Sequence, residues 1–226
     1  MKRSDIIVIL CAIALLLPFF ASEAVYNAYI DFNAQHGMIT SFIKFAVLAT
    51  FGECIGLRIR TGVYNHEGFG ILPRAVVWGV LGLAIKMAFV MFAKGVPPFM
   101  EYMGIEGATT AMGEALCLKK VLIALAISTA MNVIFAPVMM TVHKITDLHI
   151  AQHQGRLSAL LRPIAVGDIM HNQINWQVQW GFVFARTIPL FWIPAHTISF
   201  LLPVDFQTLF AAFLGVALGV FLAIKK

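Results

Sequence analysis

Charge is what this sequence has least of. Asp, Glu, Lys and Arg make up 12% of its 226 residues, whereas hydrophobic side chains make up 60% and the mean hydropathy is +0.87. A soluble domain is about one quarter charged, and a chain this long has too little interior to hide so many apolar side chains from water. That argues against a soluble enzyme, a disordered regulator and a secreted disulfide scaffold. Paired cysteines are missing as well. Cys11, Cys54 and Cys117 stand alone, without C-x-x-C or zinc spacing, so neither a disulfide framework nor a structural metal is indicated. They read as small buried hydrophobes. There is no P-loop, dinucleotide fingerprint, catalytic triad, repeat or low-complexity tract, and no enzymatic role is expected. The formal charge of +5 reads as Lys and Arg on the cytoplasmic side of a membrane rather than as a nucleic-acid surface.

What the sequence does have is long apolar runs. Six are of a length to cross a hydrocarbon core of about 30 Å: Ile6–Val25, Ile39–Ile59, Ala75–Val96, Val121–Val142, Val178–Leu202 and Phe206–Ile224. The expected fold is therefore all-α, a polytopic bundle of about six transmembrane helices forming a single transmembrane domain over residues 1–226. Basic residues set the orientation. With both termini cytoplasmic, Lys2, Arg3, Arg58, Arg60, Arg74, Lys144, Arg156, Arg162, Lys225 and Lys226 fall inside and only Lys94, Lys119 and Lys120 outside. The start resembles a cleavable leader, but its apolar run continues past Pro18, so residues 6–25 are expected to be an uncleaved signal anchor. The outer loop Pro97–Glu114, with its two prolines and several glycines, is expected to be irregular and mobile. In the inner loop, Leu157, Leu160, Leu161 and Ile164 have the spacing of a short interfacial helix.

Ionisable and amide groups inside the spans call for an explanation, since each charge costs about 2.5–3.5 kcal/mol on insertion scales. Glu53, Lys86, Asn132 and Arg186 come from four spans at similar depth. They read either as a polar pathway or as an internal cluster in which Glu53 pairs with Lys86 or Arg186. Lys44 lies near a helix end and is expected to snorkel. Pro137, Pro189 and Pro194 should break spans four and five, the fifth also carrying Trp192, His196, Thr197 and Ser199. Such breaks are tolerated where protein or water covers the freed carbonyls. The G-x-x-x-G patterns at Gly52–Gly56 and Gly215–Gly219 allow close helix approach, within the chain or in a homo-oligomer. His149 and His153 share one helix face at i, i+4, with Asp147 nearby. They lack the companion residues of a metal or haem site, so no cofactor is expected there.

Around span four the chain reads Met131-Asn132-Val133-Ile134-Phe135-Ala136-Pro137. This resembles the Mpv-seventeen and peroxisomal-membrane-protein-twenty-two family, with Asn132 at the glutamine of a D-Q pair and Met131 in place of the acid. Gly52-Glu53 resembles that family's early G-D pair. Trp192-Ile193-Pro194, His196, Ser199-Phe200, Pro203 and Gln207 look like its C-terminal signature. The similarity covers residues 42–226 and leaves the first helix as an extra. It implies a small helical protein of a bacterial inner membrane or an organelle, with pore-like behaviour. Two functions are expected from the sequence as a whole. One is a small-solute pore or carrier whose Lys86 and Arg186, against Glu53, bias it towards anions. The other is a scaffold subunit of a membrane complex, its apolar faces on lipid and partner helices.

Overall fold

A backbone in hydrocarbon must satisfy its own polar groups, and this chain does so with helices alone. The computed structural model describes residues 2–224, with side chains to residue 220, and no strand occurs among them. Lys225 and Lys226, assigned to the cytoplasm above, lie outside the described residues. The elements are α1 (Arg3–Ala21), α2 (Glu23–Gln35), α3 (Gly37–Thr61), α4 (Ile71–Tyr102), α5 (Ala108–Ala111), α6 (Leu118–Ile134) and α7 (Ala136–Gln152). A 3-10 turn (Leu157–Leu161), α8 (Val166–Asp168), a π-helical turn (Ile169–Gln173), α9 (Trp176–Val178), a longer π-helical segment (Gln179–Trp192), α10 (Ile193–Leu201) and α11 (Val204–Ile224) follow. By length and apolarity α1, α3 and α4 can each cross a membrane, and a fourth span exists if α6 and α7, bent by 43°, are taken as one. These are the spans of a multi-pass membrane protein.

The chain forms two compact units, divided between Thr40 and Ser41. In the first, α1 has no buried residue, and Phe19 meets Tyr29 of α2 edge-on at 5.5 Å. The break between them falls at Ser22, whose side chain caps α2 by accepting from Val25 N–H.

The second unit is a bundle in which α6 packs against both α4 and α10. Its apolar core joins Phe45, Ala88, Phe89, Ala108, Ile123, Ala124, Ile127 and Phe200. Glycines set its closest approaches. A Cβ on Gly52 would come 2.8 Å from the Val216 Cα, and one on Gly219 would come 2.8 Å from the Gly52 carbonyl oxygen. The two G-x-x-x-G patterns thus face each other across an α3–α11 seam. Gly82 does the same for α4, where a Cβ would meet Phe45 and the Ser41 carbonyl.

The prolines act through their missing N–H. α6 stops at Ile134, and α7 restarts with Pro137 in its first turn, where no donor is needed. Pro194 occupies the same place in α10. Pro189 is absorbed differently, inside the wide π-helical turns, where Ile193 N–H donates to the Ile188 carbonyl and Thr187 Oγ1 to the Phe182 carbonyl. A run of π-helix this long is rare.

Several expectations are corrected. The segment after Pro97 is not irregular throughout: α4 runs through both prolines to Tyr102 and α5 buries Ala108 and Ala111 fully. These small side chains fit where α5 packs on α4 and α6. The inner-loop helix is a single 3-10 turn that buries Ala159 and leaves Leu161 90% exposed. Of the cysteines only Cys54 is buried; the Cys117 thiol instead caps α6, accepting from Lys120 N–H.

Candidate functional site

Three helices bring charge together near the loop that joins α3 to α4. Glu53 comes from α3, Arg74 and Trp78 from the first two turns of α4, and His143 and Asp147 from one face of α7, four residues apart. Arg74 Nη1 donates to Glu53 Oε2 at 2.6 Å and to Asp147 Oδ1 at 2.5 Å. Trp78 Nε1 and His143 Nε2 both donate to Glu53 Oε1, at 2.8 and 3.0 Å. Arg74 is fixed further by its Nε on the Phe69 carbonyl at 2.7 Å and by the Phe69 ring beneath its guanidinium. Its side chain is 12% exposed, and those of Glu53, His143 and Asp147 are 19–22% exposed. Glu53 therefore accepts three donors, and the group as a whole clasps α3, α4 and α7.

A second polar group sits deeper. Asn132 of α6, 1% exposed, lies 3.1 Å from His196 Nδ1 of α10 and donates to the Ser128 carbonyl at 2.8 Å. Ser128 Oγ in turn donates to the Ile193 carbonyl. The His196 ring is held between Phe89 and Trp192, at centroid distances of 5.4 and 5.1 Å.

Both groups line one cavity of about 680 Å³, within the size range of small-molecule sites. It reaches the α3–α4 loop at His66 and Gly68 and the turn before α9 at Asn175, and it extends inward to Phe45, Phe89 and His196. Beyond Phe89 lies the apolar core, and none of the α4–α6 connection lines the cavity. The cavity is thus a vestibule entered from one end of the bundle.

Among the expected site residues, Glu53, Asn132 and His196 share this wall, whereas Lys86 and Arg186 are not part of it. Glu53 pairs with Arg74 and not with Lys86 or Arg186. Arg186 is exposed on the π-helical segment, and Lys86 is half-buried on α4, in Coulombic reach of Lys44. Common depth did not mean a common face. Lys44 does not snorkel either: at 7% exposure it is buried in the bundle, in Coulombic reach of Asp205. Arg74, Trp78 and His143 went unrecognised as site residues in the sequence, and Asp147 was noted only beside His149 and His153, although His143 and Asp147 carry an i, i+4 signal on α7.

Glu53, His143 and Asp147 each offer a ligand atom within 4.8 Å of the others, a donor set suited to a divalent ion. Arg74 already places a positive charge between the two carboxylates, so as it stands the arrangement is an ion-pair clasp. His149 Nε2 donates to the Ala159 carbonyl and His153 Nδ1 bonds the His149 carbonyl, both at 2.9 Å. Both rings thereby tie α7 to backbone groups. Compared with known proteins, the chain matches no family model, no curated protein and no solved structure.

Proposed function

We propose that this protein is a small-solute pore or carrier of a bacterial inner membrane, with six spans and both termini in the cytoplasm. The observation that carries the reading is the one-ended cavity, closed by the apolar core beyond Phe89 and lined by Glu53, Asn132 and His196. A vestibule that stops at mid-bundle is what a closed or inward-facing translocation path looks like. Of the residues on which the resemblance to the Mpv-seventeen and peroxisomal-membrane-protein-twenty-two family rests, Glu53, Asn132, Trp192 and His196 are in that wall, whereas Pro137, Pro194, Pro203 and Gln207 are not. The anion bias comes from different residues than the sequence suggested: Arg60, Arg74 and Lys144 against Glu53 and Asp147. A low-dielectric wall magnifies such an imbalance.

Solute efflux from proteoliposomes tests the reading. Reconstituted protein should release small anions faster than cations of similar size, and Lys144→Met should lower that ratio. Absence of any efflux would move weight to the accessory-subunit reading, which is favoured by α1, a helix with no buried residue. Thiol labelling at Ser158→Cys in intact cells tests the orientation; reaction from outside overturns it.

A further inference from the structure

The walls of the vestibule define what fits it. We infer that it binds an amphiphile with one anionic head, a carboxylate or a phosphate, and an aliphatic chain. This rests on the reading of the cavity as the solute site and names the substrate class. Arg60 and Lys144 stand in the lining at the loop end, and the side chain of neither makes a hydrogen bond or ion pair among the described residues. Lys144 is only in Coulombic reach of Asp147, whose near partner is Arg74. The cavity therefore offers unneutralised positive charge at its entrance.

Further in, the demand changes. The charged clasp is internally paired, and Asn132 already bonds His196 and Ser128. The polar groups left to a solute in the interior are therefore few, the buried Trp192 Nε1–H, which has no partner among the described residues, and the Gln179 amide among them. The remaining wall is mostly apolar, with Phe89, Met131, Met139 and Phe182 in it. Methionine side chains adapt to flexible apolar chains. From Lys144 to Met131 the α7–α6 path covers roughly 20 Å at helical rise, the reach of a long acyl chain. Charge at the mouth and an apolar tunnel behind it match a fatty acid or a lysophospholipid alike.

The test is saturable binding of radiolabelled palmitate to the full-length protein in neutral-lipid nanodiscs, with small-anion efflux measured on proteoliposomes made from the same purified protein. Lysophosphatidate and palmitate should compete with the label. Acetate, which lacks the chain, and dodecyltrimethylammonium, which reverses the head charge, should not. Arg60→Met with Lys144→Met should weaken binding at least about tenfold, and Met139→Trp, which fills the tunnel, should also reduce it. Lys94→Met, on the exposed far end of α4, should change nothing. Displacement by unlabelled palmitate but not by lysophosphatidate assigns the ligand to the free acid pool, and displacement by lysophosphatidate at lower concentration than by palmitate assigns it to membrane lipid; either supports the class. Equal competition by the cationic amphiphile, or full binding by the double variant, overturns it. Efflux without palmitate binding removes this inference and leaves the carrier reading standing, whereas binding without efflux does the reverse.

Discussion

The Glu53–Arg74–Asp147–His143 group and the Asn132–His196 pair line the same vestibule but differ in charge, depth and partners. The first lies where the α3–α4 loop brings the entrance close, and its side chains keep 12–22% of their surface exposed. There, opposite charges from three helices offset one another. The second lies further in, where Asn132 keeps 1% and His196 9%, and it uses neutral groups bonded mutually. A charge costs several kcal/mol in hydrocarbon, whereas an amide that finds a partner costs little. The molecule thus places its ionic binding energy at the mouth and its neutral hydrogen bonds in the interior.

Breaking the ionic group should have the largest effect. Arg74→Met leaves two carboxylates without their cation and should cost about 3–5 kcal/mol, read as a large fall in apparent Tm in detergent. Adding Glu53→Gln and Asp147→Asn should recover most of that loss, since removing a whole buried ion group is often nearly neutral. An unchanged Tm in Arg74→Met would mean that water, and not Arg74, neutralises the acids.

In the deeper pair, Asn132→Leu leaves the imidazole without its partner and should cost about 1–3 kcal/mol, visible in the same melts. Trp78→Phe removes one of three donors to Glu53 and keeps the ring against His143, at 4.3 Å between centroids. A loss of about 0.5–1.5 kcal/mol is expected. Smallest of all, Asn132→Leu combined with His196→Phe removes both neutral partners together, and stability should stay within about 1 kcal/mol of the parent. A loss in that double variant as large as in Arg74→Met would erase the distinction between the two groups.

Much of the architecture was legible in the sequence because hydrocarbon leaves the backbone few choices. All six apolar stretches are helical, and the Pro137 bend and the start of α10 at Pro194 follow from a missing donor. Glu53, Asn132 and His196 were legible as polar residues in apolar runs. Their partners were harder to see. Arg74 lies in a short inner loop by hydropathy, and nothing local connects it to Asp147, 73 positions later. Lys86 and Arg186 misled because depth is readable from hydropathy while facing depends on helical phase. For Arg186 that phase is set by π-helical turns that a 3.6-residue period does not describe. Lys44 was taken for an end residue, yet the neighbouring helices bury it.

Water should enter the vestibule from one side of the membrane. Cysteines placed singly at Met139 and Phe182, in a chain with Cys11, Cys54 and Cys117 replaced, should react with a membrane-impermeant thiol reagent applied from the side that labels Ser158→Cys. They should not react from the other side. Ala124→Cys, fully buried in the core beyond Phe89, should react from neither. Labelling of Met139→Cys and Phe182→Cys from the opposite side, or no labelling of either, would contradict the one-ended cavity.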